Sequence, residues 1–445
     1  MELESAIREA VTRLEALSLD AFEVVGLKER SLTIDSKKQM VDRAQASSKQ
    51  GVSIRAIKDG RMGFSTALDM NPKSVIQAVK GALDSVKSVA PSDEAVLPAP
   101  QPAHGTIDET PRRTLADVPF EEKAALARAV ESAAFASDSR VSKVQQSRYG
   151  EDTRALLVIN SQGVESSFVR GLCFCQAKVV ASEGAGSESA YELGFASSFD
   201  DLRPEEVARL AASRSVAKLG AESAPGGQAS VLFEPRPAAA MLSLLAPSFF
   251  ADNVQRGKSR LASRLGERIF SSCVTVVDDG LLRDGCNTFA FDWEGIPKRR
   301  TVLVRDGSVE SWLYDGARAS RDGVVSTGSS VRETLGRQPS VGVSNCFLKA
   351  GSISPDALIG QLRSGVVITD LLGLHTANPI SGAFSLGLEG FLVEGGVRRA
   401  PVRGMTLAGN VHDLFDRVVA VGSDLRFTGT FGAPSMLAEG LTLGS

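Results

Sequence analysis

The sequence predicts an α+β protein: a duplicated α-β4-α N-terminal region followed by a β-rich, mostly antiparallel C-terminal domain. Three observations carry this. Amphipathic helical stretches alternate with short β-branched runs as far as Leu219. One strand-to-helix segment recurs: Gly63-Phe64-Ser65-Thr66 through Asn71-Pro72 is echoed by Gly194-Phe195-Ala196-Ser197 through Arg203-Pro204. Beyond Gly226 the chain turns rich in Gly, Val and turn pairs.

Each element has its own signal. Leu3, Ala6, Ile7, Ala10, Val11 and Leu14 fall on one helical face. Phe22–Val25, Ser31–Ile34, Gly51–Ile57 and Arg61–Thr66 read as four strands, with Asp59-Gly60 as a hairpin turn. Asn71-Pro72 opens a helix with Asn as cap and Pro in the first turn. Five prolines between Pro91 and Pro111 mark a linker. A helix over Asp117–Ala136 follows, then strands around Val141–Gln146, Ala155–Asn160, Gly163–Ala181 and Ser187–Ala196, and a helix over Pro204–Leu219. The organisation is therefore residues 1–90 as an N-terminal α/β unit, 91–116 as a linker, 117–221 as a second, similar unit, and 226–445 as the β-rich domain. In that last part a helix is expected around Pro237–Leu245, hairpins at Asp306–Asp315 and Glu394–Val402, and further helices at Pro355–Arg363 and Asn410–Asp416.

Composition narrows the function. With 445 residues, 43% hydrophobic and 23% charged, the chain is globular. Lys+Arg 50 against Asp+Glu 53 gives a net charge of −3, so no overall field favours nucleic acid. The most apolar stretch, Ala238–Ala251, contains Pro247 and two serines and is too short to span a bilayer. An acidic amphipathic N-terminus and an odd number of scattered cysteines point to the cytoplasm.

Chemical motifs are sparse. Neither GxxxxGK[ST] nor GxSxG occurs. With 3 His in the whole chain, a serine triad has few bases to draw on, and no His is followed by Glu. Cys173 and Cys175 read as two buried thiols on one strand face. Lys298-Arg299-Arg300 reads as a solvated strand edge. The loop after the apolar strand Val366–Thr369 carries His375, Asn378 and Ser381, and loops set on rigid strands commonly carry function. The structural alternative is that these residues only cap and brace the loop.

An ordered set of C-terminal segments says more. Val276-Val277-Asp278-Asp279-Gly280, Phe291-Asp292-Trp293-Glu294-Gly295-Ile296-Pro297-Lys298-Arg299-Arg300, Trp312-Leu313-Tyr314-Asp315, Asn378-Pro379-Ile380-Ser381-Gly382 and Ala408-Gly409-Asn410 together resemble the TldD/PmbA family. That family is classed both as modulators of DNA gyrase and as two-chain metallopeptidases. Its TldD-like members carry His-Glu-x-x-x-His on the helix opening the C-terminal domain, and a zinc-binding Cys near the C-terminus. Here Leu242, Ser243 and Pro247 stand at the corresponding positions, and no Cys follows Cys346. The resemblance therefore implies the PmbA/TldE-like branch: no metal and no catalytic residue in this chain, and zinc in a TldD-like partner subunit. It also implies a homodimer when the chain is alone, and a chamber for extended or unfolded peptide, with His375, Asn378 and Ser381 as the expected substrate contacts. The competing functions are a peptide-binding or gyrase-modulating homodimer and an independent peptidase with an unorthodox site.

Overall fold

The computed structural model describes residues 2–105, 107 and 113–445. Helix α1 (Leu3–Glu15) buries Ala6, Ile7, Ala10 and Leu14 against the first sheet. Strands β1 (Ala21–Lys37), β2 (Met40–Lys58) and β3 (Arg61–Ala67) follow, then helix α2 (Pro72–Ser88), capped by the Asn71 side chain on Lys73 N–H. The second unit repeats the order: α3 (Phe120–Ser137), β4 (Val141–Asn160), β5 (Glu165–Glu183), β6 (Gly186–Ala196) and α4 (Pro204–Ala217). All six strands form one sheet in the order β3-β2-β1-β4-β5-β6, which reads the same outward from the β1/β4 seam.

Each unit therefore has three strands rather than the expected four. The first two runs of each unit are halves of one long strand. Polar residues that read as breaks, Lys28–Arg30 and Ser147–Arg154, lie in mid-sheet, where the β1/β4 register places Glu29 opposite Arg154 and Asp35 opposite Arg148. Both pairs are salt bridges at 2.7 Å, so the polar stretch pairs across strands instead of turning. Helix α3 starts later than expected, because Pro119 holds Val118 extended and leaves Leu115–Asp117 as a separate 3-10 turn.

Helices α1 to α4 cover one face of the sheet. On the other, Val25, Leu27, Leu156, Val158 and Val164 pack against Ile296 and Leu335 of the C-terminal domain. Residues 91–105 run without helix or strand along this junction, where Asn160 Nδ2 donates to Pro98 O at 2.9 Å and Arg318 bridges Glu94 at 3.0 Å. The remainder of the expected linker lies partly outside the described residues.

The C-terminal domain begins with β7 (Gly227–Phe233), α5 (Pro235–Leu245), a 3-10 turn (Ala246–Phe249) and α6 (Ala251–Gln255). Strands β8 (Val276–Asp279), β9 (Arg300–Arg305) and β10 (Ser308–Val309), helix α7 (Gly316–Asp322), and the short ladder of β11 (Ser330–Val331) with β12 (Ser340–Val341) come next. Then follow β13 (Cys346–Leu348), α8 (Pro355–Leu362), β14 (Ser364–Leu372), β15 (Ala383–Glu394), β16 (Val397–Asn410) and α9 (Val411–Asp416). Strands β17 (Val418–Val421), β18 (Arg426–Thr428), β19 (Phe431–Ala433) and β20 (Met436–Gly444) complete it. One sheet runs β10-β9-β8-β13-β19-β18. In the other, β16-β15-β14-β7-β20-β17, the additional β16–β20 pairing closes five strands into a ring. The turns expected at Asp306-Gly307 and Gly395-Gly396 join β9 to β10 and β15 to β16. Cys173 and Cys175 are buried free thiols. Lys298, expected in solvent, is instead only 4% exposed, because the chain enters β9 through the domain junction.

Candidate functional site

Two strand edges and one helix define a cleft between the second α/β unit and the C-terminal domain. Strand β6 is outermost in the first sheet and β18 outermost in its own. Between them opens a cavity of about 570 Å³, lined by Ser189, Ala190 and Tyr191 of β6, by Thr428 and Phe431, and by Arg236, Ala239, Ala240 and Ser243 of α5. Asp370, Leu371 and Leu372 of β14 close the floor with Leu374 and Glu389. A second cavity of about 470 Å³ shares Arg236 and Thr428 and continues along Glu192–Phe195 of β6 and Arg426–Gly429. The combined trough runs beside both open edges.

Charged side chains hold the trough in shape. Lys218 bridges Asp370 at 2.8 Å and Glu389 at 2.6 Å, while Arg236 bridges Asp370 at 3.0 Å and Glu192 at 3.2 Å. Burial works against the Lys218 charge, but Asp370 and Glu389 more than offset it and hold its pKa above the ordinary value. Two alternate carbonyls of β6 are occupied by the same cations: Arg236 Nη2 donates to Tyr191 O at 2.7 Å and Lys218 Nζ to Ser189 O at 3.5 Å. Carbonyls two residues apart share one side of a strand, so this is the face on which a further strand would pair.

Helix α5 presents no metal-binding group to the trough. Of the three positions that matter, Leu242 is fully buried in the core, and Ser243 lines the cleft with its hydroxyl donating to Ala240 O at 2.7 Å. Pro247 is the second residue of the following 3-10 turn. A guanidinium, methyl groups and an engaged hydroxyl do not fit Zn²⁺, which takes imidazole, thiolate or carboxylate. Among the described residues no group of three or more His, Cys, Asp or Glu could hold a metal ion.

His375, Asn378 and Ser381 lie together on the exposed loop between β14 and β15, directly beyond Leu374. Asn378 Oδ1 accepts from Ile380 N–H at 2.9 Å and Ser381 N–H at 3.0 Å, and Ser381 Oγ accepts from Ala383 N–H at 3.3 Å. Both side chains thus shape the loop. His375, which sits in the 3-10 turn Leu374–Thr376, is exposed.

One arrangement was not readable from spacing. Ser248 Oγ lies 2.9 Å from His412 Nε2, and His412 Nδ1 lies 3.1 Å from Asn410 Oδ1. The row has the connectivity of a nucleophile, base and orienting group. Ser248 and His412 are, however, 2% and 4% exposed, and neither borders either cavity of the trough. It is a brace: Asn410 Nδ2 donates to Ser381 O at 2.8 Å, so the row ties the turn after α5 to the 378–382 loop.

Fold and cleft together define an α+β protein with a trough between two open strand edges. Family models match in sequence order: PmbA/TldA metallopeptidase domain 1 over residues 22–86, the central domain over 113–219, and the C-terminal domain over 226–445. Metalloprotease PmbA of Escherichia coli O157:H7 is 25% identical over 98% of this chain and 94% of its own. A metalloprotease of Methanothermobacter thermautotrophicus is 30% identical over 91% and 89%. Among solved structures, a Thermotoga maritima protein provisionally assigned as a DNA gyrase modulator superimposes with a TM-score of 0.90 at 25% identity, covering 100% of both chains. TldE of Thermococcus kodakarensis shares the fold, with a TM-score of 0.87 at 22% identity and 99% of both chains covered. This chain belongs to the PmbA/TldA metallopeptidase family.

Proposed function

We propose that the chain is the PmbA/TldE-like subunit of a TldD/PmbA-type metallopeptidase, holding extended or unfolded peptide while a zinc-bearing TldD-like partner carries out hydrolysis. The observation that carries this reading is the cleft face of α5, Arg236, Ala240 and Ser243, set between the open edges of β6 and β18. A peptide entering as an added strand would exchange its own N–H groups for Arg236 and Lys218 on the β6 carbonyls. Main-chain pairing gives affinity with little sequence preference. Released from the β6 carbonyls, the two cations would stay paired with Asp370 and Glu389 and so be held in place beside the substrate. His375, Asn378 and Ser381 sit where the loop beyond Leu374 could meet the emerging chain.

The chain co-expressed with a His-Glu-x-x-x-His relative should cleave an unstructured polypeptide, whereas the chain alone should neither cleave it nor retain stoichiometric zinc. Replacing His375 and Asn378 together by Ala should slow the pair roughly tenfold, a barrier increase of about 1.4 kcal/mol, with assembly unchanged. Cleavage by the chain alone, or one zinc bound per chain, would overturn the subunit assignment. Unchanged processing by the double variant would leave those two residues only a bracing role.

A further inference from the structure

The buried member of the basic triplet points to a ligand. Lys298 makes no salt bridge among the described residues; its Nζ donates to Ser344 Oγ at 2.9 Å and, at 3.4 Å, to Asn287 O. An ammonium has three donors, and burial disfavours its charge; Asp278 and Asp292 lie near enough to favour it, but neither pairs with it directly. Arg332, also buried, spends Nη1 on Ser53 and Nη2 on Glu23, but its buried Nε has no hydrogen-bond partner among the described residues. Both side chains line the same cavity of about 130 Å³, together with Arg154, Asn287, Phe289 and Asp292.

The charges around it decide what would enter. Among the described residues Asp292 is the one carboxylate in the lining, and its oxygens are already engaged, Oδ1 by the N–H groups of Glu294 and Ile296 and Oδ2 by that of Ser330. Arg154 bridges Glu29 through Nε. Behind the lining, Asp278 accepts from Ser344 N–H at 2.7 Å, and Arg170 stacks over the Phe289 ring at 5.2 Å with Nη1 unpartnered. Free donors therefore outnumber free acceptors. We infer that this cavity binds a small oxyanion, a phosphate or carboxylate group, between Lys298 and Arg332. At about 30 Å³ per water, the space admits such a group with a water or two beside it. Its walls come from β4 and β5 on one side and the C-terminal domain on the other, so the anion would fasten the domain junction.

The test is calorimetric titration of the full chain at constant ionic strength with inorganic phosphate, sodium acetate or sodium chloride. Phosphate or acetate should bind saturably and chloride should not; which of the two binds identifies the oxyanion class. Lys298→Met should weaken that binding at least tenfold, and Asn287→Asp, which adds negative charge to the lining, should do the same. Should Lys298→Met fail to fold, Asn287→Asp alone decides. Absence of saturable binding by both oxyanions, or wild-type affinity in a folded variant, would overturn the site.

Discussion

Enclosed by Ser248, Asn410, Asp413 and Arg260, the His412 imidazole is pushed down to about 4, chiefly by burial, with Arg260 adding to it and Asp413 opposing. The folded chain therefore binds this proton only near pH 4, whereas an unfolded His binds it near 6.5. Unfolding takes up a proton between these values, so the contribution is complete above about pH 6.5 and is lost as pH falls toward 4. Its size is up to about 3 kcal/mol. Denaturant titrations at pH 7, 6, 5 and 4 should show this loss in the wild type and a flatter profile in His412→Gln; equal slopes would refute the linkage. None of this was legible beforehand: Ser248 and His412 lie 164 positions apart, and neither belongs to a local motif. Lys298 misled for a related reason, since a charged triplet is ordinarily solvated and only the domain junction buries it.

At the scale of elements, periodicity and caps were readable because they are local. Asn71, read as a cap, caps α2; the structure adds Ser354 and Asn410 as caps of the helices that follow them, and Gly323 ends α7 in the left-handed region. The strand count was not readable, because cross-strand salt bridges such as Asp35–Arg148 come from the other repeat. The paired Gly63 and Gly194 show what the recurrence preserves. A Cβ at Gly63 would stand 2.0 Å from Ala82 O and 2.6 Å from Val86 N, both helix backbone of α2. At Gly194 it would meet the Val207 side chain of α4 at 2.8 Å. Both glycines let a helix lie directly on the last strand of its unit. Gly63→Ala should therefore cost about 1–3 kcal/mol by overpacking, and Gly194→Ala less, since a side chain can shift where backbone cannot. Urea midpoints of the two variants test the order; equal or reversed losses would count against this account.

Across the whole molecule, the N-terminal sheet and the C-terminal domain meet through an ion cluster almost closed to solvent. Arg55 Nε donates to Glu23 Oε1 at 2.9 Å and its Nη2 to Glu294 Oε1 at 2.8 Å, while Arg332 Nη2 reaches Glu23 Oε1 at 2.9 Å. Glu294 Oε2 accepts the Gly316 N–H at 2.8 Å. Burial raises the Glu294 carboxyl, but Arg55 outweighs it and holds it below the ordinary value; Asp292, buried beside it, is pushed up to about 7. Arg55 is thus the group that lets Glu294 stay ionised across the junction. Replacing it with Met keeps much of the volume but leaves a buried carboxylate with one N–H partner, a loss of about 3–5 kcal/mol by the measure of broken buried pairs. Because the cluster joins two layers, the loss should also separate them. Arg55→Met should unfold in two steps, with the segment 91–105 opening to protease before the C-terminal domain melts, while the wild type unfolds in one. The double variant Arg55→Met with Glu294→Leu should recover part of the stability, since it removes the unpaired charge and leaves only the Gly316 N–H and one Glu23 oxygen without their partners. A single coincident transition in Arg55→Met, or no recovery in the double variant, would show that the apolar contacts of Ile296 and Leu335 hold the junction without the ions.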